Sequence, residues 1–303
     1  MYRLAALLLA AAVVATGAAA VSAPRVVATI PTGLSPCGLA ALDGKLWVAN
    51  MGSSTVESID PRGNRRVGKA IPVGFQPCGL TAGAGSLWVD GYGTNAIERV
   101  SPRTRKVVAR IAVGRAPYDV LFAFGSVWST DSGSDRVSRI DPRRNRVVAR
   151  IRVPNGPAGL GVADGSLWVG SINGEAVHRI DPQTNRATPV PVGRSNPAWL
   201  ATNAGQVWIG SPMGNYVARI DPETNGVVAT LELPNGPADG SIGPDGLVWI
   251  GLLRDRVVVR IDPATNAVRD RVRVGQGPFV VAGAFGDMWA SSWRGSDVRR
   301  LRP

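Results

Sequence analysis

Tryptophan recurs at Trp47, Trp88, Trp128, Trp168, Trp208, Trp249 and Trp289, in steps of 40 or 41 residues. A second marker keeps the same beat: Ile59-Asp60-Pro61, Val100-Ser101-Pro102, Ile140-Asp141-Pro142, Ile180-Asp181-Pro182, Ile220-Asp221-Pro222, Ile261-Asp262-Pro263 and a degenerate Leu301-Arg302-Pro303. Two signatures in phase over seven periods cannot be coincidence. A period near 40 carrying several short strands is that of a β-propeller blade. The expected fold is all-β: a seven-bladed β-propeller of four-stranded antiparallel blades.

The first repeat shows how one blade is written. Cys37 to Asp43 is a short apolar run ended by Asp43-Gly44, a hairpin signal. Lys45 to Asn50 forms the second strand, and Thr55 to Asp60 alternates into the third. Asp60-Pro61-Arg62-Gly63-Asn64 is a turn, in which Asp accepts backbone N–H groups and Pro presets φ. A fourth strand, Val67 to Val73, leads through Gly74 and Pro77 into the next blade. The last repeat stops after its third strand, whereas Arg25-Val26-Val27-Ala28-Thr29-Ile30 reads as a fourth strand with no blade of its own. The N-terminal strand is expected to complete the last blade and close the ring, which removes exposed edges. In-register tryptophans and Asp-Pro turns are explained by the scaffold: the rings fill the wedge between sheets.

Ahead of that strand, Met1-Tyr2-Arg3 precedes an apolar run from Leu4 to Val21 and then Val21-Ser22-Ala23. This pattern predicts a signal peptide over residues 1–23, an exported propeller over 24–303, and a secreted or cell-envelope location. An uncleaved anchor is the alternative, although alanine makes the run a poor span. The formal net charge is +12, almost all from arginine, since only Lys45, Lys69 and Lys106 are lysines. Such a balance suggests either solvated basic faces or contact with a cell-wall polyanion. No nucleic-acid motif accompanies it.

Cys37 and Cys78 occupy equivalent sites in adjacent blades. Export favours pairing, while equivalent side chains point in similar directions and their Cα atoms are expected about 6–9 Å apart, astride the limit for a bridge. A disulfide is expected, with two buried thiols as the alternative.

Gly165-Ser166-Leu167-Trp168-Val169-Gly170, Arg179-Ile180-Asp181-Pro182-Gln183-Thr184-Asn185 and Val73-Gly74-Phe75-Gln76-Pro77-Cys78-Gly79-Leu80 resemble the bacterial YVTN-repeat (YncE-like) propellers, with tryptophan in place of tyrosine. More distantly the chain is similar to the streptogramin B (virginiamycin B) lyases. The first resemblance implies an exported binding protein. The second implies a histidine base and magnesium held near acidic residues on one face. The single histidine, His178, falls in a third strand and reads as a surface residue, and Glu57, Glu98, Glu223 and Glu232 fall in strands or repeat turns. Lactonase-type propellers imply Glu, Asn and Asp metal ligands that cannot be matched to positions here.

Functional residues should break the repeat. Phe75, Tyr118, Trp199 and Phe279 precede or open inner strands, and Tyr92 and Trp293 lie between second and third strands, so all six belong to one face. The same segments carry Asp90, Asp119, Asp131, Glu175 and Asp239, with Arg115, Arg194, Arg254 and Arg294. Aromatics with converging polar groups define the candidate ligand site as Tyr92, Tyr118, Asp119, Trp199, Asp239, Phe279 and Trp293. The alternative is that some of these rings plug the channel. Asp119 and Asp239 lie in nearly opposite blades and are not expected to form a dyad. Asp131-Ser132-Gly133-Ser134-Asp135 lacks calcium-loop spacing and reads as a polar turn. No cofactor or metal site is expected. The leading reading is a monomeric binding propeller, without catalysis, for an unknown small molecule, glycan or peptide. A metal-assisted lyase or lactone hydrolase on the same face is second, and an envelope protein holding polyanions through arginine is third.

Overall fold

The computed structural model describes residues 23–303; the expected signal peptide lies almost wholly outside them. Seven four-stranded sheets follow one another. Blade 1 comprises inner Pro36–Leu42, second Lys45–Asn50, third Thr55–Asp60 and outer Arg65–Pro72 strands. Blades 2 to 6 begin at Leu80, Pro117, Pro157, Trp199 and Pro237. Blade 7 takes Pro278–Ala284, Asp287–Ser292 and Asp297–Arg302 from the C-terminus and Arg25–Pro31 from the N-terminus. The expected closure is thus present: Arg25 lies opposite Arg302 and Pro31 opposite Asp297, antiparallel, with one bulge. Among the described residues no helix is long and apolar enough to cross a membrane.

Each blade contributes one face to a hydrophobic layer shared with its neighbour, such as Trp47 and Val56 of blade 1 with Leu80, Leu87 and Val89 of blade 2. The seven in-register tryptophans are all fully buried there. Five indole N–H groups donate to the carbonyl five residues earlier, as Trp88 does to Gly83 at 3.0 Å. In Trp208 and Trp249 the side chains of Gln206 and Asp245 replace it.

Most of the arginines are exposed, as solvated basic faces require, but one in-register set is built into the scaffold. Arg99, Arg139, Arg179, Arg219, Arg260 and Arg300 each stand eleven residues after a repeat tryptophan and lie over its ring, 4.7–5.5 Å from the centroid. Arg99 also donates to Pro142 O and Asn145 Oδ1 in the Asp-Pro turn of the next blade, at 2.9 and 3.1 Å. The same bridge recurs from Arg139, Arg179 and Arg219, and Arg300 makes it to Pro61 and Asn64 across the ring closure. Asn in that turn sits at positive φ, for instance Asn145 at 51°, which its short amide tolerates. One in-register Arg–Asn pair therefore locks a seam in five places.

The seam between blades 1 and 2 is written in reverse. Ser58 stands where the other blades have arginine, and Arg105 stands where they have asparagine. Arg105 reaches back to lie 5.2 Å over Trp47 and donates to Ser58 Oγ at 3.0 Å and Lys69 O.

Candidate functional site

Every inner strand is preceded or opened by a proline, whose missing N–H suits a position before the ladder begins. The residue after it points to the axis. These residues are Cys37, Cys78, Tyr118, Ala158, Ala198, Ala238 and Phe279, and together they form one apolar cluster across the channel. Cys37 and Cys78 are disulfide-bonded with Cα atoms 5.0 Å apart, closer than the spacing read from the repeat, because inner strands converge at the axis. Gly38 permits this: a Cβ there would collide with the Cys78 carbonyl.

Three alanines leave the other side of the ring underfilled, and Trp199 occupies the space. It stacks on Tyr118 with centroids 5.4 Å apart and meets Phe279 edge-on at 4.7 Å. Gly159 makes room, since a Cβ there would stand 3.0 Å from the indole. Trp199 is only 5% exposed, so it is part of the plug and not a free stacking platform. It nevertheless lies at the axis, not between sheets like the seven repeat tryptophans. Tyr92 packs edge-on to Tyr118 at 6.0 Å, and Trp293 lies 6.3 Å from Phe279 while its Nε1–H points to Met51 Sδ at 3.5 Å.

This aromatic diaphragm divides the channel. Below it a cavity of about 360 Å³ is lined by Asp119, Trp199, Asp239 and the inner strands. Above it a cavity of about 290 Å³ is lined by Met51, Gln76, Asp90, Tyr92, Leu253 and Trp293. Cys78, Tyr118 and Phe279 border both. The seven predicted site residues are therefore split between two chambers: Tyr92 and Trp293 above, Asp119, Trp199 and Asp239 below.

Carboxylates occupy both chambers. Asp90 is buried; its Oδ1 accepts from Cys78 N at 2.7 Å, while Oδ2 has no partner of normal hydrogen-bond geometry. Burial pushes its pKa up to about 8, against the pull of the Cys78 and Gly79 amides, and Asp119 raises it further. Asp119 is half-buried at the channel wall, and its enclosure by protein pushes it up to about 7. Its oxygens accept from Val120 N and from Leu160 N of blade 4, both at 2.8 Å. Enclosure, then the charge of Asp119, pushes Asp239 well up. Asp119 and Asp239 share no hydrogen bond, yet the charge of Asp119 still acts on Asp239 across the channel. Burial also raises the Tyr118 phenol.

Asp90 was legible only as one of several polar neighbours. At its position, two after the repeat tryptophan, blades 4, 5 and 6 have Gly170, Gly210 and Gly251. There the next blade's backbone comes too close for a side chain. A carboxylate at a position where the scaffold prefers glycine was the available signal.

Other candidates resolve into structure. Asp131 accepts from Ser129 and Ser138 hydroxyls at 2.9 and 2.6 Å and holds a turn. Glu57 and Glu98 accept the amides of Gly33 and Gly74 ahead of their blades. His178 occupies the corresponding third-strand position in blade 4, where Pro154 replaces that glycine and offers no N–H. It is buried, not at the surface as its strand position suggested, and burial lowers its pKa. The histidine base and magnesium set implied by the lyase resemblance does not fit these residues. His178 lies between blades, Asp119 commits both oxygens to amides, and among the described residues no three His, Cys, Asp or Glu side chains converge.

Fold and site define a closed seven-bladed propeller with an aromatic diaphragm and buried acids on its axis. The chain belongs to the virginiamycin B lyase family, whose model matches residues 69–303. No curated protein matches it in sequence. Among solved structures, a virginiamycin B lyase from Staphylococcus aureus superposes with a TM-score of 0.81 at 16% identity, over 93% of this chain and 100% of that one. A catalytically inactive variant of that enzyme with quinupristin gives 0.76 at 16%, over 90% and 96%. Hydrazine synthase from Kuenenia stuttgartiensis gives 0.77 at 17%, over 89% and 96%. Identities this low carry the fold and not the chemistry.

Proposed function

We propose that this protein is an exported binding propeller that uses the lyase-family scaffold without the family's histidine chemistry. The observation that carries the reading is the upper chamber: Tyr92, Tyr118, Phe279 and Trp293 surround a cavity of about 290 Å³ whose lining also includes Gln76 and the buried acid Asp90. Apolar walls with few polar groups are the usual make-up of a small-ligand site. The N-terminal segment supports export. The polyanion reading rests on the exposed arginines alone, because the in-register set is engaged over tryptophan rings and across seams.

The test is incubation of the purified protein with quinupristin, the compound in the inactive-variant complex, followed by chromatography. We expect no conversion. Turnover by the parent would replace this reading with an enzymatic one. That second reading rests on Asp90 and Asp119, whose pKa values of about 8 and about 7 suit proton transfer near neutrality. Loss of any such turnover in Asp90→Asn would assign it to this acid.

A further inference from the structure

We propose that the upper chamber is a site for an organic cation, a quaternary or protonated amine, held by the Tyr92, Tyr118, Phe279 and Trp293 rings and by the Asp90 carboxylate. This rests on the binding reading above and names its ligand class. The rings are neighbours in an unbroken chain: Tyr92 meets Tyr118 at 6.0 Å, Tyr118 stacks on Trp199, Trp199 meets Phe279, and Phe279 faces Trp293 at 6.3 Å. Ring faces attract a cation within roughly 6 Å, and a cage of several rings is the recurring device for quaternary ammonium groups. A second, independent observation points the same way. Asp90 lines the chamber, is 1% exposed, and keeps Oδ2 without a partner of normal hydrogen-bond geometry, only the Gly79 amide pulling on the carboxyl beside that of Cys78. A buried carboxyl oxygen left unmatched is costly unless something else meets it.

A neutral aromatic ligand without a donor would satisfy the rings and leave that oxygen unmatched. An anionic one would oppose ionisation of Asp90 and gain nothing from the ring faces. A cation meets the rings and, once Asp90 gives up its proton, the carboxylate. Asp90 faces Asp119 from the lower chamber, and Tyr118 and Tyr92 from the wall. Among the described residues no basic side chain lines the chamber. Arg115, Arg254 and Arg294 are exposed on the same face outside the lining, and Arg194 is paired with Glu232. Because Asp90 holds its proton at neutral pH, cation binding expels that proton to solution. Affinity therefore rises with pH until Asp90 is ionised in the free protein.

Benzyltrimethylammonium, whose charge does not titrate, and benzyl alcohol, its uncharged counterpart, are the probes. Calorimetry on the parent protein, repeated in buffers of different ionisation enthalpy, should show the cation binding more tightly. About one proton should be released near pH 7, and affinity should grow by roughly tenfold per pH unit below the Asp90 pKa. Asp90→Asn keeps an acceptor for Cys78 N–H and should weaken the cation by at least about tenfold while sparing the alcohol. Tyr92→Leu, at a half-exposed ring, should weaken the cation a few-fold. Equal binding of both probes, or a cation affinity that is independent of pH and of Asp90, overturns the cation inference and leaves the pocket reading intact. Failure of both probes at millimolar concentration overturns both.

Discussion

At the scale of the residue, the repeat separates two kinds of tryptophan, and the structure moves one of them. From sequence, Trp199 reads as a ring of the ligand face, whose loss should matter to the fold much less than that of Trp168. In the fold it fills the space left by Ala158, Ala198 and Ala238 and is 5% exposed. We therefore expect Trp199→Ala to destabilise in the manner of Trp168→Ala, about 3–5 kcal/mol for the latter and near the lower bound for the former. Urea unfolding checks this; an unchanged midpoint for Trp199→Ala would mean the diaphragm is not structural. Asp90 makes a separate prediction. Its folded pKa of about 8 lies above the unfolded value of 3.8, so between those limits the native state holds a proton that the unfolded chain releases. Stability should fall as pH rises from about 4 to about 8 and then level off. Asp90→Asn should remove its share of that slope in melts taken across this range, Asp119 and Asp239 supplying the rest, and an equally steep slope in the variant would assign it elsewhere. Such a residue was hard to find from sequence, because burial at the axis is set by how seven strands converge and not by local pattern.

At the scale of the element, the regular seams explain why arginine recurs eleven residues after the tryptophans, and the irregular one explains an apparent defect. Tryptophan spacing and Asp-Pro turns were readable because each is dictated within a single blade. The Arg that follows tryptophan by eleven residues was readable in principle, but its partners lie 43 to 47 residues away in the next blade, as Arg99 and Asn145 do, so its role needed the ring. Between blades 1 and 2 the pair is Ser58 and Arg105, with the arginine supplied from the other side. We expect Arg105→Ala to cost about 1–2 kcal/mol, as a partly buried cation–π contact and its hydrogen bonds are lost. Ser58→Arg alone should also destabilise, since two guanidinium groups would then compete for Trp47. Combining Ser58→Arg with Arg105→Asn rebuilds the seam used elsewhere and should recover most of the loss. A double-mutant cycle from chemical denaturation decides it; strictly additive effects would show that the two positions do not form one lock.

At the scale of the whole molecule, the ring is held shut by a contact between the two ends of the described chain. Ile30 is buried against Val298, Trp289 and Leu46, and Thr32 N donates to Ser296 O at 2.8 Å. Arg300 then carries the closure into the Asp-Pro turn of blade 1 through Pro61 and Asn64. No neighbouring repeat can substitute for this strand, because every other outer strand already belongs to its own blade. A chain beginning at Thr32 would expose the edge of Asp297–Arg302 and remove Ile30 from its layer. Unpaired edges favour association, and a ring is stabilised through each neighbour contact, so one open seam weakens all blades. We expect the shortened chain to melt several degrees lower with a broader transition and to aggregate on heating, whereas a chain beginning at Arg25 should keep the closed ring and melt as one unit. Calorimetry of the two, at equal concentration, separates the outcomes. If the chain beginning at Thr32 melts as sharply and as late as the longer one, closure by the N-terminal strand is dispensable, and the seven blades are held by their adjacent seams alone.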